Sequence, residues 1–270
     1  MVKVSSLCVG KELLIGKTVN TNAYWIGARL LALGIMLDRI LTVTDSLPEI
    51  ASGLTELLSR GPDFIVVIGG LGPTPDDMTL RGVAQGLAVE LRSNKDALDI
   101  IRAHYVRRGL GKVPMTKARR KMAVLPEGSV PVVNGLGTAP AVRIERTQTV
   151  IYCLPGVPKE MEQIFKQSVE PEIRRKVGKL YPSRTTMQLQ DVFESNLAPS
   201  IYEAVRAHPD AYIKSHPKGI RKGKSHVELD IVVTSRSKKE SKRERDEIVD
   251  FFERRVREGG GKLIRKVIGR

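Results

Sequence analysis

The stretch Phe64-Ile65-Val66-Val67-Ile68-Gly69-Gly70-Leu71-Gly72-Pro73-Thr74-Pro75-Asp76-Asp77-Met78-Thr79 decides how this chain is read. A short run rich in β-branched residues that ends in glycines predicts a buried parallel strand whose C-terminal end opens into a loop. Open α/β sheets bind ligands at that end. Gly69, Gly70 and Gly72 lack a Cβ, so their backbone can turn through positive φ and bring N–H groups close to an anion. Pro73 and Pro75 stiffen the turn. Thr79, or Asp76 and Asp77 ahead of it, can cap the helix implied by Leu80, Val83, Ala84 and Leu87. The positive end of that helix then points at the same spot. Adjacent carboxylates beside a phosphate would repel it unless a divalent cation sits between them. The simpler alternative for the string is a glycine turn with a capping aspartate.

Strand and helix patterns alternate through the preceding and following segments, as in a sheet covered on both faces. Residues 3–9 read as a first strand. A helix capped by Asn20 or Asn22 carries Ile26, Leu30 and Leu33 on one face and ends at Gly34. Residues 35–43 are a second strand, followed by Asp45 or Ser46 as cap, Pro48, and a helix to Gly61. Residues 94–108 and 116–122 are helical. Residues 142–144 and 149–154 read as a hairpin at a sheet edge, and residues 157–177 as one long closing helix. The predicted class is α/β, a three-layer, mixed and mostly parallel sheet over residues 1–178.

After Gly178 the pattern becomes strand, helix, strand, strand, helix, strand, which predicts a smaller ferredoxin-like α+β domain over residues 179–270. Its segment His216-Pro217-Lys218-Gly219-Ile220-Arg221-Lys222-Gly223-Lys224 reads as a basic loop, either a backbone clamp for a nucleotide or a hairpin tip.

The chain carries 45 Lys and Arg against 30 Asp and Glu, a formal charge of +15. Such a surplus attracts polyanions and anionic metabolites. Yet only 4% of residues are aromatic and the cations alternate with Glu, as in Lys238-Lys239-Glu240-Ser241-Lys242-Arg243-Glu244, which reads as a solvated helix laced with ion pairs. A nucleic-acid partner is therefore not expected. The apolar runs are too short to span a bilayer and a strand follows almost directly on Met1, so a soluble, cytoplasmic protein without a membrane partner is expected. Cys8 and Cys153 lie in apolar runs and read as buried free thiols without chemistry.

The glycine string resembles the signature of the molybdopterin-binding domain family (MoaB/MogA type), and more closely the amino-terminal domain of the competence/damage-inducible CinA family. The likeness extends through Gly10-Lys11-Glu12-Leu13-Leu14-Ile15-Gly16-Lys17-Thr18-Val19-Asn20-Thr21-Asn22-Ala23, Asn134-Gly135-Leu136-Gly137-Thr138-Ala139-Pro140, and Leu154-Pro155-Gly156-Val157-Pro158-Lys159-Glu160-Met161. The block from Asn134 to Pro140 departs from the family pattern, which ends in Gly where this chain has Ala141. The second domain resembles the KH-like domain of CinA proteins in topology. Longer members continue into an amidase domain, and that activity is not expected of the sequence up to Arg270.

The resemblance implies that the blocks converge on one pocket at the carboxyl ends of the strands. Glu12, Asp76 and Asp77 would be catalytic; with Asp45 they would hold one or two divalent ions of the Mg, Mn or Co type. For Glu12 and Asp45 helix capping is the competing reading. Gly69, Gly70, Gly72, Thr74, Thr79 and Gly156 would meet phosphate. Thr18, Asn20, Asn22, Asn134, Gly137 and Thr138 would serve a ring or ribose, and Lys159 and Glu160 could also reach the ligand. The CinA likeness implies metal-dependent hydrolysis of a nucleotide pyrophosphate such as ADP-ribose. The broader likeness implies binding or adenylylating a pterin phosphate, with a binding-only module as a third reading. The partner is then a small-molecule nucleotide or pterin phosphate, and a homo-oligomer, with a dimer favoured, is expected.

Overall fold

The computed structural model describes residues 2–111 and 113–269. The chain divides into two compact units: residues up to Leu30 with Ile35–Gly178, and Leu31–Gly34 with the residues from Lys179 onward.

The first unit runs β1 (Val4–Val9), α1 (Lys11–Leu14), α2 (Thr21–Leu31), β2 (Leu37–Val43), α3 (Leu47–Ser59), β3 (Phe64–Ile68), α4 (Thr79–Leu87), β4 (Leu91–Ser93), α5 (Lys95–Arg107) and α6 (Lys117–Lys121). It continues with β5 (Val124–Pro126), β6 (Val130–Val132), β7 (Ala141–Arg146), β8 (Thr149–Leu154), α7 (Pro158–Ile164) and α8 (Glu170–Val177). Six strands form one sheet in the order β2-β1-β3-β8-β7-β6. The four from β2 to β8 are parallel, and β7 and β6 each run antiparallel to their neighbour. The fold is thus mixed α/β with a mostly parallel sheet.

β1 and β3 are buried along their whole length because both faces of the sheet are covered. Leu7, Ile65, Val67, Ile151 and Cys153 point into a cluster with Ile50 and Leu54 of α3, Val83 and Leu87 of α4 and Ile101 of α5. On the opposite face Tyr152 of β8 bonds Glu172 of α8, and the Trp25 ring of α2 meets Phe165 edge-on. Asn94 and Thr116 cap α5 and α6, accepting from the N–H groups of Ala97 and Arg119.

Three local readings change. The hairpin β7–β8 is not an edge: β8 lies inside, beside β3, and the three-residue β6 closes the sheet beyond β7. The closing helix is interrupted by a π-helical turn at Phe165–Val169. Pro171, in the first turn of α8, has no N–H to donate, and its ring would crowd the carbonyl four residues back, which accounts for the wider turn. Finally, α4 has Met78 at its N-cap and no side-chain cap bond, so neither Thr79 nor the aspartates cap it.

The second unit runs β9 (Tyr181–Gln190), α9 (Glu194–Ala207), β10 (Tyr212–Arg221), β11 (Lys224–Ser235), α10 (Lys238–Glu258) and β12 (Lys262–Gly269). Its sheet order is β10-β11-β9-β12 with every neighbouring pair antiparallel. β9 and β10 are therefore parallel and separated by β11, the split βαβ arrangement. Met187, Leu189, Leu229 and Ile231 of the sheet pack with Ile248, Val249 and Phe252 of α10. The basic segment is a hairpin, the second of its two readings: pairing continues to Arg221↔Lys224 and the turn is Lys222-Gly223, with φ of 50° and 74°. Lys218 pairs with Glu228 and Lys224 with Asp191, so much of the charge there is already answered.

Candidate functional site

The parallel strands β1, β2, β3 and β8 all end at one side of the first sheet, and the loops that follow them build the site. The chain leaves β3 through Gly69, whose N–H donates to the Leu154 carbonyl (3.0 Å) at the end of β8. Gly69 has φ 103° and Gly70 φ 62°; a Cβ on the first would run into the Val9 carbonyl and on the second into the Thr79 hydroxyl. The loop thus curls back on α4, with the Thr79 N–H donating to the Gly70 carbonyl (3.2 Å). Thr79 is fully buried behind the loop and its hydroxyl has no partner. It supports the glycines from beneath and lines none of the clefts described below.

Beyond Gly72 the loop is held by its own acids. Asp77 Oδ2 accepts the Thr74 N–H (2.8 Å), and the Thr74 hydroxyl lies 2.5 Å from Asp76 Oδ1 and 2.6 Å from Asp77 Oδ2. That hydroxyl hydrogen bond holds the Asp76 carboxyl below the usual carboxylate range. From the far side the Lys121 ammonium donates to the carbonyls of Gly72 (3.1 Å), Thr74 (2.5 Å) and Asp77 (2.7 Å). Burial pulls this ammonium below the ordinary lysine range, against the pull of Asp77 and Asp76.

An acidic cleft of about 310 Å³ opens on one side of the glycines. Glu12, Asp45, Asp76 and Asp77 line it, with Thr18, Asn20, Asn22 and Gly156 opposite Gly69 and Gly70. These residues follow β1, β2, β3 and β8, so the strand ends do bring them together. They do not form a metal cage: among the described residues no group of three or more His, Cys, Asp or Glu gathers to hold an ion. Asp45 Oδ2 accepts the Lys11 N–H (2.7 Å) at the start of α1, so it caps α1 rather than the helix α3 that follows it, whose N-cap is Ser46 without a side-chain cap bond. Glu12 sits in α1 rather than in an open loop and folds back over Gly10, where a Cβ would lie 2.5 Å from its Oε1. Asn20 caps α2 through the Ala23 N–H (3.1 Å), and Asn22 donates to the Gly156 carbonyl (2.8 Å). Cys8, buried and free, forms part of the wall; burial pushes its thiol up.

Two further clefts share Gly70, Gly72 and Asp77. One of about 420 Å³ is bordered by Tyr105, Thr138, Pro155, Val157 and Glu160. The other, about 320 Å³, has Leu80, Leu91 and Met122 as apolar lining and Arg81, Lys117, Arg120 and Lys121 as cationic lining. The glycine loop is the hub of all three.

A sequence profile described as "Probable molybdopterin binding domain" matches residues 5–175. The chain belongs to that family. A protein of Aeropyrum pernix is 39% identical over 257 residues, covering 95% of this chain and 94% of that protein. One of Pyrobaculum arsenaticum is 41% identical over 235 residues, 87% of each. The crystal structure of the protein CinA, of unknown function, from Thermoplasma acidophilum aligns with a TM-score of 0.58 at 39% identity, covering 63% of this chain and 97% of that one. The chain is CinA-like.

Within the family domain the block from Asn134 to Pro140 is placed differently from the sequence reading. Asn134 is fully buried. Its amide donates to the Ala139 carbonyl (3.0 Å) and Glu160 Oε2 (2.7 Å), and its carbonyl accepts the N–H groups of Leu136 (3.1 Å) and Gly137 (2.8 Å). All its bonding capacity goes into the turn and to Glu160 of α7, leaving none for a ring or ribose. Gly137 is needed for packing, because a Cβ there would collide with Glu160 and Asn134. Thr138 alone of the three proposed ring contacts in this block lines a cleft. Thr74 lines none of the three and acts on Asp76 and Asp77 instead. Lys121 and Arg81 were missed, since Lys121 ends a Lys-Ala-Arg-Arg-Lys run that reads as a solvated helix face and Arg81 reads as a polar position of α4. The only available signal was the position of that run among the family blocks, between the glycine string and Asn134.

Proposed function

We propose that the first unit binds a nucleotide diphosphate across the Gly69–Gly72 turn and, with a divalent cation, hydrolyses its pyrophosphate link. One observation carries the reading: a positive-φ glycine turn that admits an anion lies against Asp76 and Asp77, which would repel that anion unless a cation is shared between them.

The donor set fits a hard, oxygen-seeking ion. A magnesium-type ion takes one or two carboxylates and completes its shell with water and substrate phosphate. Asp76 and Asp77 would hold it, and when bound it would polarise the diphosphate and lower the pKa of a water. The rest is the chain's own work. Thr74 orients both carboxylates, and Lys121 keeps the turn that carries them in one conformation. Gly70 and Gly72 leave the backbone open to the ligand, so loop N–H groups can take charge on the departing phosphate.

A second reading, binding or adenylylation of a pterin phosphate, is favoured by the family match over residues 5–175. The two separate on substrate. Purified protein is incubated with ADP-ribose, FAD and a pterin phosphate, with and without Mg²⁺, Mn²⁺ or Co²⁺. Metal-dependent release of AMP from ADP-ribose is expected. Asp77→Asn should lower that turnover about 10- to 1000-fold with little change in melting temperature. Tight pterin-phosphate binding without dinucleotide cleavage would transfer the case to the second reading, and full activity in both Asp76→Asn and Asp77→Asn would remove the two aspartates as the groups that hold the ion.

A further inference from the structure

The cationic cleft beside the glycine turn has no task in that reaction. Arg81 and Lys117 have no hydrogen-bond or ion-pair partner among the described residues, and Arg120 gives only its Nε, to the Met115 carbonyl (2.9 Å). Several arginines elsewhere in the chain are answered by acids: Arg29 by Glu170, Arg143 by Glu172, Arg255 by Glu203. Here the cations gather instead, and the charge of Arg81 works against that of Lys121. Like charges converging on a concavity favour an anion placed among them. Among the described residues, Asp77, already bonded to Thr74, is the one acid lining this cleft.

The cleft also has an apolar side. Leu80, Leu91 and Met122 lie beneath the cations, and the volume of about 320 Å³ suits a small ligand such as a single nucleoside. Because Gly70, Gly72 and Asp77 border both this cleft and a neighbouring one at the turn, a ligand crossing the turn enters it without a break. We propose that this cleft is a subsite for a nucleoside carrying a phosphomonoester on its ribose, the base on the apolar side and the phosphate against Arg81, Lys117 and Arg120. The inference deepens the diphosphate reading and rests on it for the ligand's path. It names the substrate class as dinucleotides with a 2′- or 3′-phosphorylated ribose. A nucleic-acid strand is the less suitable source of the phosphate, since the cations are confined to one concave lobe.

Binding is measured calorimetrically on the full chain with AMP, adenosine 2′,5′-bisphosphate, adenosine 3′,5′-bisphosphate and a short single-stranded oligonucleotide. None of the mononucleotides contains a diphosphate, so they report on the subsite independently of pyrophosphate cleavage, which is assayed in parallel on ADP-ribose. One bisphosphate should bind about 10-fold or more tighter than AMP, as expected for charge-assisted bonds to a phosphate. In the Arg81→Gln/Arg120→Gln variant, with its fold checked by circular dichroism, that preference should shrink to below about 3-fold. Retained preference with no ADP-ribose cleavage would keep the subsite and remove the hydrolase reading. Equal affinity of AMP and both bisphosphates, or a variant that weakens all three by one common factor, would overturn the subsite. Tighter binding of the oligonucleotide, displacing the bisphosphate, would overturn it in favour of nucleic acid.

Discussion

Lys121 uses its ammonium on three main-chain carbonyls, and all three belong to the turn that bears Asp76 and Asp77. An ammonium has three donors and no acceptor, so this geometry satisfies it completely. Arginine offers more donors, but in a planar fork, and three carbonyls converging on one point suit a compact cation better. Lys121→Met should leave those carbonyls to water and free the turn. The expected outcome is a loss of about 10- to 100-fold in turnover, as for a small misplacement of reacting groups, with stability lowered by about 1–3 kcal/mol. Lys121→Arg should recover stability more than turnover. Initial rates on ADP-ribose and urea unfolding of the same preparations check both. A Lys121→Met protein with wild-type kcat would show that the turn holds itself through Thr74 alone.

At the scale of elements, the parts legible in the sequence are those whose pattern is local. β3 is a continuous apolar run closed by glycines, α5 carries both a cap and periodicity, and α3 carries Pro48 in its first turn and periodicity, so each forms near its expected bounds. β4, β5 and β6 have three residues each and were not foreseen; Leu91–Ser93 is a strand because it meets Val124–Pro126, which no local pattern announces. The site shows the same division. Glycines and acids that follow strand ends were readable, whereas Asn134 and Thr79 could only be placed once their neighbours were known. The tie between α8 and the sheet is likewise a product of tertiary structure: Glu172 joins Arg143 of β7 (2.6 Å) and the Tyr152 hydroxyl of β8 (2.5 Å). The Arg143 hydrogen bonds hold the Glu172 carboxyl below its usual range, outweighing burial, while burial raises the Tyr152 phenol. A carboxylate depressed in the folded state stabilises above its unfolded pKa of about 4.3, and that contribution fades as pH falls through the folded value. Glu172→Gln should therefore cost about 2 kcal/mol at pH 7. Urea unfolding at stepped pH should show the gap to wild type closing as pH falls below about 4.3. A gap that stays constant down to the lowest pH would mean that packing, not charge, joins α8 to the sheet.

For the molecule as a whole, the question is what a formal charge of +15 does. Much of the charge in the second unit is locally answered, by Glu228 and Asp191 at the hairpin, by Glu247 and Glu253 along α10, and by Glu253 again for Lys266 of β12. Such exposed pairs add little stability, but they break a continuous basic track into neutral pieces. No helix among the described residues is long and apolar enough to cross a membrane, so the surplus is not read as flanking a spanning helix. What remains is a diffuse positive field that speeds the approach of anions without selecting among them. Binding to single-stranded or duplex nucleic acid should accordingly be sequence-blind, with Kd about micromolar or weaker at physiological salt, and log K should fall linearly with log salt as counterions are released. Pocket binding of a nucleotide diphosphate should depend on salt less steeply, because a bound cation and backbone N–H groups make short, sheltered contacts that screening reaches poorly. Fluorescence anisotropy of a labelled oligonucleotide and of a labelled nucleotide, titrated across the same series of salt concentrations, compares the two slopes directly. Equal slopes would place the nucleotide on the surface rather than in the cleft. Nanomolar, sequence-selective binding of RNA or DNA that persists at the highest salt and is lost on neutralising Lys218, Arg221, Lys222 and Lys224 would make the β10–β11 hairpin a nucleic-acid clamp.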